Sequence, residues 1–381
     1  MMVAEANIAE IHPVVRKRLV LITGYPVGFG AIIYHAVNGI YFSLATGRVP
    51  FVFWDSHRCL YVDRSRGPLL EHNYFEDFFE PVSCARLSDF SDRSLVYYPS
   101  VWNRDNIVDT TRLPFNYEVK NNAECVQGFP TEEEILADVV VFSSRLSVYD
   151  LIKYYPPPPC FLNLTPLEII RKIVHEYLRL KQPIVANLKA RHKACVGSKP
   201  YIAVHIRATD KVMEYAVPHT SRFISSIRIV LQKNPSLNVF IATDSLGAFS
   251  ATKSAFNDRL CFHDVERSVD ARPVHSPYGN GQRRALEFLQ DCYSAARGSV
   301  FIGTSHSALV WVMRDVVGEA IPKSEMILVN PSFFDVLLHK KAVLIDRTVK
   351  VGKTVFKRLL PDKVVTVIKY YKNKFRTTIS L

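Results

Sequence analysis

YIAVHIRATDKVMEY, Tyr201 to Tyr215, is the stretch that decides the fold. It opens as an apolar run interrupted only by His205, the mark of a strand covered on both faces. It then sets down Arg207, Asp210, Lys211 and Glu214 within a few residues. Crowding charges of both signs at the end of a buried strand is costly unless they bind something, so the cluster is a candidate site.

Working outward, the same alternation continues through the second half of the chain. NVFIATD (238–244), RLCFHD (259–264), SVFIGT (299–304) and MILVN (326–330) read as strands. Between them HTSRFISSIRIVLQ, LGAFSATKSAF, QRRALEFLQDCYSAAR and SHSALVWVMRDVV carry helical spacing. Strand–helix alternation of this kind predicts a parallel sheet with helices on both faces. The first half begins the same way. RLVLIT, the glycine-punctuated GYPVGFG, AIIYHAVNGIYFSLATG and VPFVFW make a βαβ unit, and DVVVFSS (138–144) adds a strand. Residues 55–134 are irregular and aromatic-rich, which predicts long loops over a scaffold. Tyr154 to Pro166, YYPPPPCFLNLTP, holds four consecutive prolines and reads as a stiff connector. LEIIRKIVHEYLRLKQPIVANLKARHKAC follows with helical periodicity.

The expected architecture is α/β, with two Rossmann-like domains facing a cleft. The expected divisions are an N-terminal extension (1–17), two Rossmann-like domains (18–170 and 171–336) and a basic segment (337–381). In such sheets ligands sit at the carboxyl ends of the strands. Arg207, Asp244 of IATDS and Ser305 and Ser307 of GTSHSALV all fall there. An aspartate in TDS is equally suited to capping the next helix. Small hydroxyl residues at a helix start favour an anion, and an arginine on the same rim can hold phosphate by a two-pronged contact. Together they describe a diphosphate site that needs no metal. Gly28 and Gly30 would let backbone approach the ligand from the other domain, or serve only a tight turn.

Composition narrows the class. Of 381 residues, 48% are hydrophobic and 22% charged, as in ordinary globular proteins. No run of apolar residues is long enough for a transmembrane span, and the N-terminus lacks the pattern of a secretory signal. Seven dispersed cysteines without a short metal-ligand spacing suit reduced thiols, so the expected location is the cytoplasm. Residues 340–381 hold twelve Lys and Arg against two Asp, which leaves the rest of the chain close to neutral. That distribution argues against a nucleic-acid-binding protein. The amphipathic basic stretch from Lys353 to Arg376 could lie on a membrane surface or pack on the body.

HIRATDK resembles the HxRRTDK motif of the α1,6-fucosyltransferase family, which includes animal core fucosyltransferases and rhizobial Nod-factor fucosyltransferases. The likeness continues in order through GFG near the start, the YYPPPP connector, VFIATDS and FIGTSHSALV, and spans about residues 18–318. It implies a GT-B-like fold, with residues 18–170 the acceptor-side domain and 171–336 the nucleotide-sugar-binding domain, and metal-independent, inverting transfer of fucose from GDP-fucose to a glycan acceptor, with no cofactor. By the same resemblance His205 would meet the guanine and Asp291 would read its edge. Arg207 would hold the β-phosphate, Ser307 would bind phosphate, and Glu214 would be the general base with Lys211 beside it. Three positions depart from the family: Ala208 stands for its second arginine, Ser245 for an aspartate and Ala308 for a glutamine. A different nucleotide-sugar donor, or a binding protein that keeps the cleft without turnover, are the competing readings.

Overall fold

The computed structural model of the protein describes residues 18–24, 26–63, 69, 71–112, 136–142, 146–209, 216–269, 280–304, 326–332 and 335–336. β1 (Leu19–Thr23) passes through α1 (Phe29–Ala45) to β2 (Val49–Phe53). β3 (Tyr97–Tyr98) and β4 (Val139–Phe142) complete a parallel sheet in the order β2-β1-β4-β3. Side chains alternate across it. Val20 and Ile22 join α1 in one apolar layer, and Leu19 and Leu21 join Phe90, Trp102 and Ile107 in another. The aromatic-rich region expected as surface loops is therefore largely core where it is described. Tyr74, Phe75, Phe78, Phe79, Phe90 and Trp102 are all buried. Phe90 and Trp102 cover the sheet face opposite α1, while Tyr74, Phe75, Phe78 and Phe79 join the layer on the α1 side.

The helical periodicity after the prolines resolves into two helices, α2 (Pro166–Tyr177) and α3 (Gln182–Val196). Thr165 caps α2, and Glu168 returns the bond to the Thr165 N–H at 2.7 Å, a capping box. In a continuous helix the Pro183 ring would clash with the Arg179 carbonyl. That carbonyl instead accepts the Glu80 N–H at 2.8 Å, and Leu180 bridges Phe79. The expected division at 170 falls inside α2, and the chain moves on to the second sheet after this break. The proline connector packs on the first unit, where the Tyr41 hydroxyl donates to the Tyr155 carbonyl at 2.8 Å.

The second sheet runs β5 (Tyr201–Ile206), β6 (Asn238–Thr243), β7 (Leu260–Cys261), β8 (Val300–Thr304) and β9 (Met326–Val329) along the chain. All pairings are parallel, in the order β7-β6-β5-β8-β9. α4 (Thr220–Lys233) joins β5 to β6, α5 (Leu246–Phe256) joins β6 to β7, and α6 (Gly281–Ala295) precedes β8. The chain winds outward from β5 to β7, then returns to the other side of β5. The carboxyl ends of β5 and β8 thus flank a topological switch point, where such sheets bind ligands. β7 is shorter than the sequence predicts.

One apolar cluster runs from the first unit into the second. Phe29, at the start of α1, lies 4.7 Å from the Tyr61 ring and 5.9 Å from that of Phe288 on α6. The N–H of Gly281 donates to the Val62 carbonyl at 3.1 Å, and a Cβ on Gly281 would sit 2.0 Å from the Leu60 carbonyl oxygen. Only glycine allows this backbone approach. Gly281→Ala is expected to destabilise the protein by about 2–4 kcal/mol, since backbone on both sides must shift. Urea denaturation would check this, with an unchanged midpoint counting against the contact.

Candidate functional site

The site is built on the loop that leaves β5. Thr243, the last residue of β6, donates its hydroxyl proton to the Ile206 carbonyl at 2.8 Å and ties the two strand ends together. The next residue, Asp244, is 12% exposed at its side chain and turns toward β5. One oxygen accepts the Ala208 N–H at 3.2 Å, and the other accepts the Thr209 hydroxyl at 2.6 Å and the Arg207 guanidinium at 3.0 Å. From the opposite neighbour, the Thr304 hydroxyl at the end of β8 accepts the Arg207 N–H at 3.2 Å. Three strands therefore fix the backbone and the guanidinium of Arg207. The capping alternative for Asp244 is resolved by its neighbour, because Ser245 accepts the Ala248 N–H at 3.2 Å and starts α5. Asp244 is a positioning residue for Arg207 here. Thr209 was not singled out in the sequence, and its hydroxyl gave no signal there.

Two buried groups lie in the layer between this sheet and α6. His205 shares a strand face with Tyr201 and Ala203, is 3% exposed, and its Nδ1 has no hydrogen-bond partner. Burial, with the Arg207 charge adding to it, pushes the imidazole down to about 3, so it is neutral at ordinary pH. Asp291 on α6 is 8% exposed and its Oδ1 is likewise unpartnered. Burial pushes its carboxyl up to about 8, Glu287 adds to the rise, and Arg267 opposes it. Arg267 comes from the loop after β7. Its guanidinium stacks 4.2 Å over the Phe249 ring and donates to the His263 carbonyl at 2.9 Å. An unpartnered buried polar atom in a native fold calls for an explanation, and a ligand atom meeting it is one that suits a site at this rim.

The first unit contributes the start of α1. Gly28 is its N-cap, with no side-chain cap, and its carbonyl accepts the Ala31 N–H at 2.9 Å. Gly28 has an ordinary extended φ of −59°, and a Cβ there would meet nothing within 4 Å, so neither strain nor close protein packing calls for glycine. Gly30 is buried in the first turn. The buried Tyr61, which sequence reading missed within an irregular stretch, packs its ring 4.7 Å from that of Phe29.

Asp210, Lys211, Glu214, Ser305 and Ser307 lie outside the described residues, as does the basic segment from 337 apart from the sequence itself. Among the described residues there is no group of three or more His, Cys, Asp or Glu able to hold a metal, and no helix is long and apolar enough to cross a membrane.

Two parallel doubly wound sheets, with the candidate site at the switch point of the second, define the GT-B-like class of α/β folds. Within it, the chain is similar to the NodZ α1,6-fucosyltransferase structure soaked with GDP-fucose. The TM-score is 0.51 at 20% identity, over 79% of this chain and 93% of that one. It is similar to the same extent to the fucosyltransferase NodZ from Bradyrhizobium, with a TM-score of 0.51 at 20% identity over 79% and 94% of the two chains. At this identity the likeness establishes the shared fold. No protein-family model and no curated protein sequence matches the chain.

Proposed function

We propose that the protein is an inverting, metal-independent glycosyltransferase that transfers fucose from GDP-fucose to a glycan hydroxyl. The observation that carries the reading is Arg207, fixed by Asp244 and Thr304 at the switch-point rim, where a bound anion would meet its guanidinium. His205 and Asp291 offer unpartnered buried nitrogen and oxygen to a base such as guanine, whose N–H edge suits a carboxylate. The similar structure that was soaked with GDP-fucose supports the choice of donor.

In the proposed step the acceptor oxygen forms a bond to the anomeric carbon as the carbon–oxygen bond to the β-phosphate breaks. The electron pair leaves with GDP, and the acceptor proton passes to the Glu214 carboxylate. The larger barrier is charge separation between an oxocarbenium-like sugar and the diphosphate, so cations preorganised at the leaving group contribute most. Arg207 has that role, with Ser305 and Ser307 assigned to the phosphates and Lys211 placed beside the base. Attack from the face away from the diphosphate inverts the anomeric centre.

The test is calorimetric titration of the purified chain, without added metal, against GDP, UDP, CDP and GDP-fucose. Selective GDP binding supports the reading. Preference for UDP favours a sibling transferase, and no nucleotide binding leaves only the fold in common. Glu214→Gln is expected to lower turnover by about 10²-fold or more while GDP affinity stays as in the parent, as for a lost general base. Equal turnover in the variant would remove Glu214 from that role.

A further inference from the structure

β7 stops before β6 does. Its last pairing sets Cys261 beside Phe240, while β6 runs on to Thr243. Beyond that point the outer edge of β6 is met by the chain that has left β7. Ser268 bridges Ser245 in parallel. Its N–H donates to the Asp244 carbonyl at 2.8 Å, and its carbonyl accepts the Leu246 N–H at 2.9 Å. From Phe240 to Ser245 the chain of β6 advances five residues, whereas from Cys261 to Ser268 the facing chain advances seven. Two residues are in excess, so the intervening segment is a bulge.

A bulge turns main-chain groups out of the ladder, and they need other partners. Arg267 supplies them. Its guanidinium donates to the His263 carbonyl at 2.9 Å and to the Val265 carbonyl at 3.2 Å. The same plane lies 4.2 Å from the centre of the Phe249 ring, in the first turn of α5. A planar fork can stack and bridge two carbonyls at once, which an ammonium cannot. Toward α6, His263 Nε2 is 2.8 Å from the Ser294 hydroxyl, and the Glu266 N–H donates to Glu287 at 3.3 Å. The excess residues are thus held in a closed shape between α5 and α6. Ser268 follows directly and reaches the edge of β6 at a set place. What it holds there is the main chain of Asp244, whose carboxylate meets the Arg207 guanidinium at 3.0 Å.

We infer that Arg267 is a positioning residue for the donor diphosphate: by closing the bulge it sets Ser268, and through it Asp244 and the direction of Arg207. The inference rests on the proposed role of Arg207 as the phosphate-binding group.

The experiment is calorimetric titration of the full chain with GDP and with guanosine, in the parent, Arg267→Lys, Arg207→Ala and the double variant. Lysine keeps the charge that opposes the rise at Asp291, so the base reader is left as it is. Arg267→Lys is expected to weaken GDP about three- to tenfold and to leave guanosine unchanged, the scale of coupling between residues in one network. In the Arg207→Ala background it is expected to cost nothing further, because the group it positions is gone. An Arg267→Lys protein that binds GDP like the parent overturns the inference. So does an equal loss for GDP and guanosine, or the same loss with Arg207 absent as with it present, since either marks a general structural role. Should Arg267→Lys fail to fold, Phe249→Leu removes the ring under the guanidinium and leaves the charge in place. It is expected to weaken GDP about two- to fivefold with guanosine unchanged, and parent-like GDP binding overturns the inference. A parent chain that binds no GDP, or an Arg207→Ala protein that binds it like the parent, removes the proposed function first, which separates the two failures.

Discussion

Arg207→Ala is expected to lower GDP affinity by about 10²-fold and turnover by about 10³-fold or more, the scale of a guanidinium lost from a phosphoryl leaving group. The variant is informative because the scaffold round it does not depend on the guanidinium. Asp244 still accepts the Ala208 N–H and the Thr209 hydroxyl, and Thr304 still accepts the backbone N–H of residue 207. The turn should keep its shape, so the loss reports charge rather than collapse. Arg207→Lys sets a second point. It retains the charge but not the planar fork, so affinity should fall between the parent and the alanine variant. Calorimetry with GDP, alongside a turnover assay at saturating donor, reads both. If Arg207→Ala binds GDP as the parent does, the rim of the second sheet is not the phosphate site.

Asp291→Asn should move stability and binding in opposite directions. The carboxyl titrates at about 8 in the folded protein against an ordinary value of 3.8, so folding raises its affinity for a proton. Between those two values the folded chain holds more protons than the unfolded one. Stability from this group is therefore complete at acid pH and is lost as pH rises to about 8. Asparagine has no proton to give up. The variant should gain on the parent as pH rises, by on the order of a few kcal/mol at pH 8.5 and little at pH 4. Guanidinium denaturation at the two pH values measures the gap. GDP affinity should fall about 10²- to 10³-fold, because the guanine N–H edge would meet an amide N–H in place of a carboxylate oxygen. In the parent, guanine binding should release a proton below pH 8, so affinity climbs with pH over that range. A variant matching the parent in both respects would take Asp291 out of the site.

Much of this was legible in the sequence where elements are buried on both faces. β1, β5 and β6 carry apolar runs that only a covered parallel strand requires, and each was expected within a residue or so of where it lies. The strand-end position of Arg207 and Asp244 followed from those runs. What a strand pattern does not encode is direction after the strand ends. That Asp244 turns back to β5 while Ser245 takes the helix cap depends on neighbouring strand ends tied by Thr243, not on the string TDS. The two-residue β3 is too short to show a period, and its pairing depends on β4. The aromatic stretch from Tyr74 to Trp102 looked like loops because Tyr74, Phe75 and Phe90 come from short helical turns and Phe78, Phe79 and Trp102 from irregular backbone. Tyr61 was invisible for a related reason, since it acquires meaning only from packing on Phe29, distant in the sequence.

The apolar layer shared by the two units bears on how such a protein could be re-engineered. Under the proposed function donor and acceptor preferences would reside on different sheets, which would invite exchanging one half for that of a relative. Here Phe29, Tyr61 and Phe288 interlock, and Gly281 meets the Leu60 carbonyl without room for a methyl group. A foreign half would have to match that seam atom for atom. Modular shuffling is thus closed to this chain unless the seam travels with the graft, and new specificity is more readily sought in the rim residues, one side chain at a time.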